Sequence, residues 1–236
     1  EFIVSAVFQH EEGSNLNHLI VLNDAEEAAY FHNTLENLTS ALDLFYFPSS
    51  YKTPHNFSLL NPSHVMLRTE ALTKISMGGN KKILVTYPEA LFENVIMRNT
   101  LQQNIIQIKT NDSLDLNGLM QQLVDYGFER TDFVYEPGQF ALRGGIFDIY
   151  SFGNEKPYRV ELFGEEVDSI RVFDPATQLS ERKLLQVNII PNVTTQFEDK
   201  IKIPLLEFLA KDTLIWLKDW NVIAQKGNDQ YEALGD

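Results

Sequence analysis

Few residues in this 236-residue chain have the types and spacing that chemistry requires. The nearest approach to a phosphate loop is Gly78-Gly79-Asn80-Lys81, which precedes an apolar strand pattern instead of following one. A working loop needs G-x-x-x-x-G-K-[ST], so that backbone N–H groups and a lysine meet the phosphates. G-x-G-x-x-G is missing as well. All five histidines lie within the first 64 positions, without H-E-x-x-H or any other ligand spacing. Ser58 and Ser63-His64 are not framed by the G-x-S-x-G of a nucleophile elbow. Glu11-Glu12 and Glu165-Glu166 are sequence neighbours, and neighbours in a strand point to opposite faces, which argues against a shared catalytic site. Arg143-Gly144-Gly145 is a single RGG, far short of a repeated RNA-binding tail. No catalytic constellation assembles, and the chain reads as a non-enzyme with no cofactor and no metal of its own.

A surface does assemble. In Tyr158–Phe163 (YRVELF), alternation places Tyr158, Val160 and Leu162 on one face and Arg159, Glu161 and Phe163 on the other. The first set suits a core. The second joins an arginine to a large aromatic just before a turn, the composition of an interface hot spot. Arg143 comes from the preceding strand, where Gly144-Gly145 could mark a bulge that re-aims it. The same pattern also describes an ordinary solvated strand face, with Phe163 tucked under a loop.

The elements that must position these residues fall into two styles. In the first half, strands at His18–Asn23, Leu44–Phe47, Lys82–Thr86 and Asn104–Lys109 alternate with helices. One helix starts near Asp24 and carries Ala28, Phe31, Leu35, Leu38 and Leu42 on one face. A second is capped by Ser63 and ended by Gly78-Gly79. A third opens at Pro88 and runs through Met97. That alternation predicts a parallel sheet with helices on its faces. A helix at Asp115–Asp125, stopped by Gly127, is followed from Thr131 to Phe173 by strands and turns only. After Leu184 the alternating style returns, with strands at Gln186–Ile190 and Thr213–Leu217 and a helix at Pro204–Ala210. The expected organisation is α/β, with residues 1–112 and 185–236 forming a parallel-sheet domain and residues 113–184 an inserted antiparallel β-rich domain.

Composition narrows the class. With 44% hydrophobic residues, 16 Phe and 9 Tyr, the chain can bury a substantial core. A net charge of −14, from 19 basic and 33 acidic residues, supplies no global field for nucleic acid. There are no cysteines, so disulfides and thiolate sites are excluded, in keeping with a reducing cytoplasm. No apolar stretch is long enough to span a membrane, and the opening EFIVSAVFQH does not read as a signal peptide. Without a starting Met and with a helical pattern at its end, the sequence reads as a fragment of a longer protein.

The stretch from Leu123 to Ser180 closely resembles the second domain shared by the excision-repair protein UvrB and the transcription-repair coupling factors (the Mfd family). GFERTDFV, PGQFALRGGIFDIY, PYRVELFGEEVDSIR and FDPATQLS carry the resemblance, in family order and spacing. FPSSYKTP, NPSHVMLRTEAL and ILVTYPEALFENVI are similar to the degenerate helicase-like first domain of the coupling factors, and IIPNVTTQFEDK to the return into it. An ATP-dependent UvrB-like helicase fragment is the alternative. Against it, Ile215–Trp220 holds a lone Asp219 between Lys218 and Trp220 where UvrB has an acidic pair that helps hold magnesium. The resemblance implies a module that binds UvrA through Arg143, Arg159 and Phe163, with Glu161 on the same face and Arg130 matching a family arginine in GFER. It further implies masking by the C-terminal region of the intact protein. RNA polymerase, double-stranded DNA, ATP and magnesium would be met by other domains.

Overall fold

The computed structural model describes residue 6 and residues 15–38, 43–53, 56–79, 81–193, 197 and 200–234. In chain order come β1 (His18–Val21), α1 (Ala25–Leu38), β2 (Asp43–Tyr46), β3 (Tyr51–Thr53), β4 (Asn56–Leu60), α2 (Pro62–Ser76), β5 (Lys82–Thr86), α3 (Pro88–Leu91) and β6 (Val95–Ile96). Next are α4 (Arg98–Gln103), β7 (Ile106–Lys109), α5 (Leu116–Asp125), β8 (Glu129–Arg130), β9 (Gln139–Arg143), β10 (Ile146–Ile149), β11 (Tyr158–Phe163) and β12 (Glu166–Phe173). β13 (Ser180–Leu184), β14 (Gln186–Ile189), β15 (Lys202–Ile203), α6 (Leu205–Phe208), β16 (Leu214–Leu217) and α7 (Trp220–Leu234) follow. Contacts divide it into two compact units, Glu1–Arg98 with Asp199–Asp236, and Asn99–Glu198.

The first unit holds a four-stranded parallel sheet in the order β16-β1-β5-β2. All residues of β1 and β5 are buried, in keeping with the apolar runs Leu19–Val21 and Ile83–Val85 that they carry. The cap of α2 is Asn61, not Ser63: the Asn61 side-chain oxygen accepts from the N–H groups of Ser63 and His64. Pro62, which has no N–H to satisfy, takes the first helical position and pushes Ser63 into the helix. The helix expected from Pro88 through Met97 ends at Leu91, because Val95 and Ile96 are buried in an antiparallel pairing with β15.

The second unit is built on a six-stranded sheet, β13-β12-β11-β10-β9-β8. Its ladders are antiparallel except β8–β9, which is parallel. One face buries Phe140, Phe147, Ile149, Val160, Val167 and Ile170 in a cluster with Leu119 and Leu123 of α5. Each such side chain contributes about 1.5–3 kcal/mol by leaving water. Asp115 caps α5 through the Gly118 N–H, and Gly127, at φ +76, ends it. β7 and β14, read from the sequence as part of the parallel-sheet domain, pair antiparallel with each other. Their Ile108, Val187 and Ile189 enter the core cluster of this unit. Leu42, His10, His55, the Glu11-Glu12 pair, Asn80 and parts of IIPNVTTQFEDK (194–196 and 198–199) lie outside the described residues.

Candidate partner-binding face

The face of the six-stranded sheet opposite that core is set by register. β10 pairs with β9 and β11 so that Asp148 lies across from Ala141 on one side and Arg159 on the other. β9 and β10 are joined by Gly144-Gly145, a two-residue hairpin turn and not the bulge expected there. Gly144 has φ +60, and Arg143 pairs with Ile146 directly across the turn. Gly145 passes so close to β11 that a Cβ would sit 2.8 Å from the Leu162 carbonyl oxygen. The register irregularity lies instead between β11 and β12, at Glu161/Leu162.

Asp148 is fully buried, and both arginines converge on it. Arg159 donates from Nε to Asp148 Oδ1 and from Nη2 to Asp148 Oδ2, each at 2.8 Å. Its Nη1 donates to the Gln178 carbonyl at 3.0 Å, and its guanidinium lies 4.5 Å from the centre of the Phe173 ring. The Asp148 hydrogen bond raises the Arg159 pKa above its ordinary value. Arg143 donates from Nη2 to Asp148 Oδ2 at 2.6 Å and from Nη1 to the Asp132 carbonyl. Its guanidinium lies 4.5 Å from the centre of the Phe133 ring. The arginines differ in exposure: 14% for the Arg159 side chain and 32% for Arg143.

The loop that meets Arg159 is shaped by its own sequence. Asp174 Oδ1 accepts from the N–H groups of Ala176 and Thr177 and from Thr177 Oγ1, an Asx-type turn. These bonds hold the Asp174 carboxyl below its ordinary pKa, the Thr177 N–H foremost. Gln178 follows with φ +61, and its Nε2 bonds the carbonyls of Val134 and Pro175. Thus ALRGG, FDIY, PYRVELF and FDPATQLS meet around one carboxylate.

Beside this cluster, Glu161 accepts from Ser169 Oγ at 2.6 Å and pairs with Arg171 at 3.5 Å. Phe163 ends β11 with 85% of its surface exposed. Gly164, at φ +66, turns the chain into β12 immediately after it. Arg143, Arg159, Glu161 and Phe163 therefore share one face. Arg130 does not: it lies on the edge strand β8, in register with Phe140, whose side chain enters the opposite core face. The sequence reading missed Asp148, Gln178, Phe133 and Arg171. Asp148 had a signal, since a carboxylate between Phe147 and Ile149 on a buried strand requires a cation.

In the first unit, Asp219 accepts at Oδ1 from the N–H groups of Asn221 and Val222 and at its carbonyl from Ile223, which makes it the cap of α7. Lys218 pairs with Glu27. His64 Nδ1 lies 2.8 Å from the Ser49 carbonyl. Among the described residues no group of three His, Asp or Glu could hold a metal ion, and no helix is long and apolar enough to cross a membrane.

Residues 106–194 match the family model of the UvrB interaction domain. Similar proteins include the transcription-repair-coupling factors of Haemophilus influenzae, 28% identical over 80% of this chain and 16% of that protein, and of Borreliella burgdorferi, 26% identical over 84% and 17%. The factor of Bacillus subtilis is 31% identical over 66% of this chain and 13% of its own length. The chain thus spans 13–17% of the length of each of these relatives.

Proposed function

We propose that this chain, whose residues 106–194 carry the UvrB interaction domain, is the protein-binding module by which a transcription-repair coupling factor recruits UvrA to nucleotide excision repair at stalled RNA polymerase. Binding, not chemistry, is its work. The observation that carries this reading is the position of Phe163, 85% exposed at the end of a strand whose Arg159 and neighbouring Arg143 are already oriented by buried bonds. A large apolar side chain beside pre-ordered arginines binds with little further loss of side-chain entropy. Arginine also offers a planar fork for a partner carboxylate. The first unit acts as a degenerate helicase-like scaffold. RNA polymerase, double-stranded DNA, and ATP with magnesium are met by other domains of the intact factor, whose C-terminal region masks this face until polymerase is engaged. The experiment is a UvrA affinity measurement on the purified chain. The chain is expected to capture UvrA, and Phe163→Ala to weaken capture with the fold intact. Equal capture by the variant would overturn the site, and failure of the wild-type chain to capture UvrA would overturn the function.

A further inference from the structure

Two arginines on the binding face share one carboxylate, and the sharing is unequal. We propose that Asp148 is a positioning residue for partner binding: it aims Arg143 outward at the partner, while Arg159 serves as the strut that holds Asp148 in place. This rests on the reading that the face of Arg143, Arg159 and Phe163 binds UvrA. The guanidinium of Arg159 is closed inward, with Nε, Nη1 and Nη2 all bonded within the chain and its side chain only 14% exposed. Arg143 is bonded through one nitrogen to Asp148 and through the other to the Asp132 carbonyl, and it is 32% exposed. A guanidinium has five N–H donors, so Arg143 retains donors for a partner.

Asp148 Oδ2 accepts from both arginines and so sets the distance between the two cations. Without its charge the guanidinium groups would repel, and Arg143 would be held only by the Asp132 carbonyl and the Phe133 ring. The triad of two cations and one anion is also a local positive spot on a chain of net charge −14. The complementary partner surface is a carboxylate beside an apolar recess for Phe163.

A double-mutant cycle on the chain, read as UvrA affinity, tests this. Asp148→Asn keeps the side-chain shape and removes the charge. It is expected to weaken UvrA binding roughly tenfold when Arg143 is present and to change little once Arg143 is alanine. Equal losses in both backgrounds would overturn the positioning role and leave the binding face standing. An Arg143→Ala variant that binds UvrA as the wild type does would overturn this inference, while loss of binding in Phe163→Ala would leave the face standing. A second variant, Asp148→Leu with Arg159→Met, replaces the buried ion pair by apolar side chains of similar size. Folded by circular dichroism, it is expected to bind as weakly as Arg143→Ala. Full affinity would overturn the proposal.

Discussion

Phe163 and Arg159 lie on the same strand, yet truncating them does different things. Phe163 is exposed and fills no cavity, so Phe163→Ala is expected to cost about 1–3 kcal/mol of UvrA affinity with an unchanged melting temperature. Arg159 closes a buried ion pair. Arg159→Ala leaves Asp148 with one cation in place of two, and breaking such a pair typically costs about 3–5 kcal/mol of stability. The expected result is a clear drop in melting temperature alongside weaker UvrA binding. Asp174 carries a pH signature. Its carboxyl is depressed in the fold, so its contribution is present above the ordinary value of 3.8 and is lost as pH falls through the lower, folded value. In denaturant titrations, the stability difference between wild type and Asp174→Ala should be full at neutral pH and shrink as pH falls below 3.8. Arg159, Glu161 and Phe163 were legible at this scale because alternation along one strand is a local property, whereas Arg143 reaches their face through the pairing of β9 and β11 with β10. Asp148 had a local signal, but which cations it pairs with was hidden, because Arg143 and Arg159 come from two neighbouring strands.

At the scale of elements, the hairpin between β9 and β10 depends on two glycines for different reasons. Gly144 needs its positive φ but faces open space, so Gly144→Ala should cost about 1 kcal/mol. Gly145→Ala would drive a methyl into the Leu162 carbonyl, a backbone atom that cannot swing away. A larger loss in denaturant midpoint is expected for Gly145→Ala, and the reverse order would contradict the geometry. The cap of α2 offers a second check: Asn61→Ala should cost about 1 kcal/mol, while Ser63→Ala should be nearly silent. Most strands and helices were legible from apolar period and turn residues. The short α3 was not. Its Pro88 start was correct, but the pairing of Val95-Ile96 with Lys202-Ile203, far away in sequence, cut it off.

At the scale of the whole molecule, no saturable ATP binding is expected in a nucleotide titration of this chain. The helix after β1 opens with Asp24, Glu26 and Glu27, and the Asp24 carboxylate accepts from the Glu27 N–H. Carboxylates thus stand where a phosphate would dock on a helix N-terminus. Asp219 is occupied as a helix cap. Saturable binding would restore the helicase-fragment alternative.

By itself the sequence determined that the chain is mixed α/β, that strand-and-turn structure interrupts an alternating pattern, and that Arg159, Glu161 and Phe163 share a face. These follow from periods of two and 3.6 residues, which any single segment displays. Only the tertiary structure decided that β7 and β14 pair with each other in the second unit, that Arg130 lies off the face, and that Asp148 joins Arg143 to Arg159. Those outcomes depend on which distant segments meet. A buried carboxylate selects its cations by register across strands, a relation that no local pattern contains.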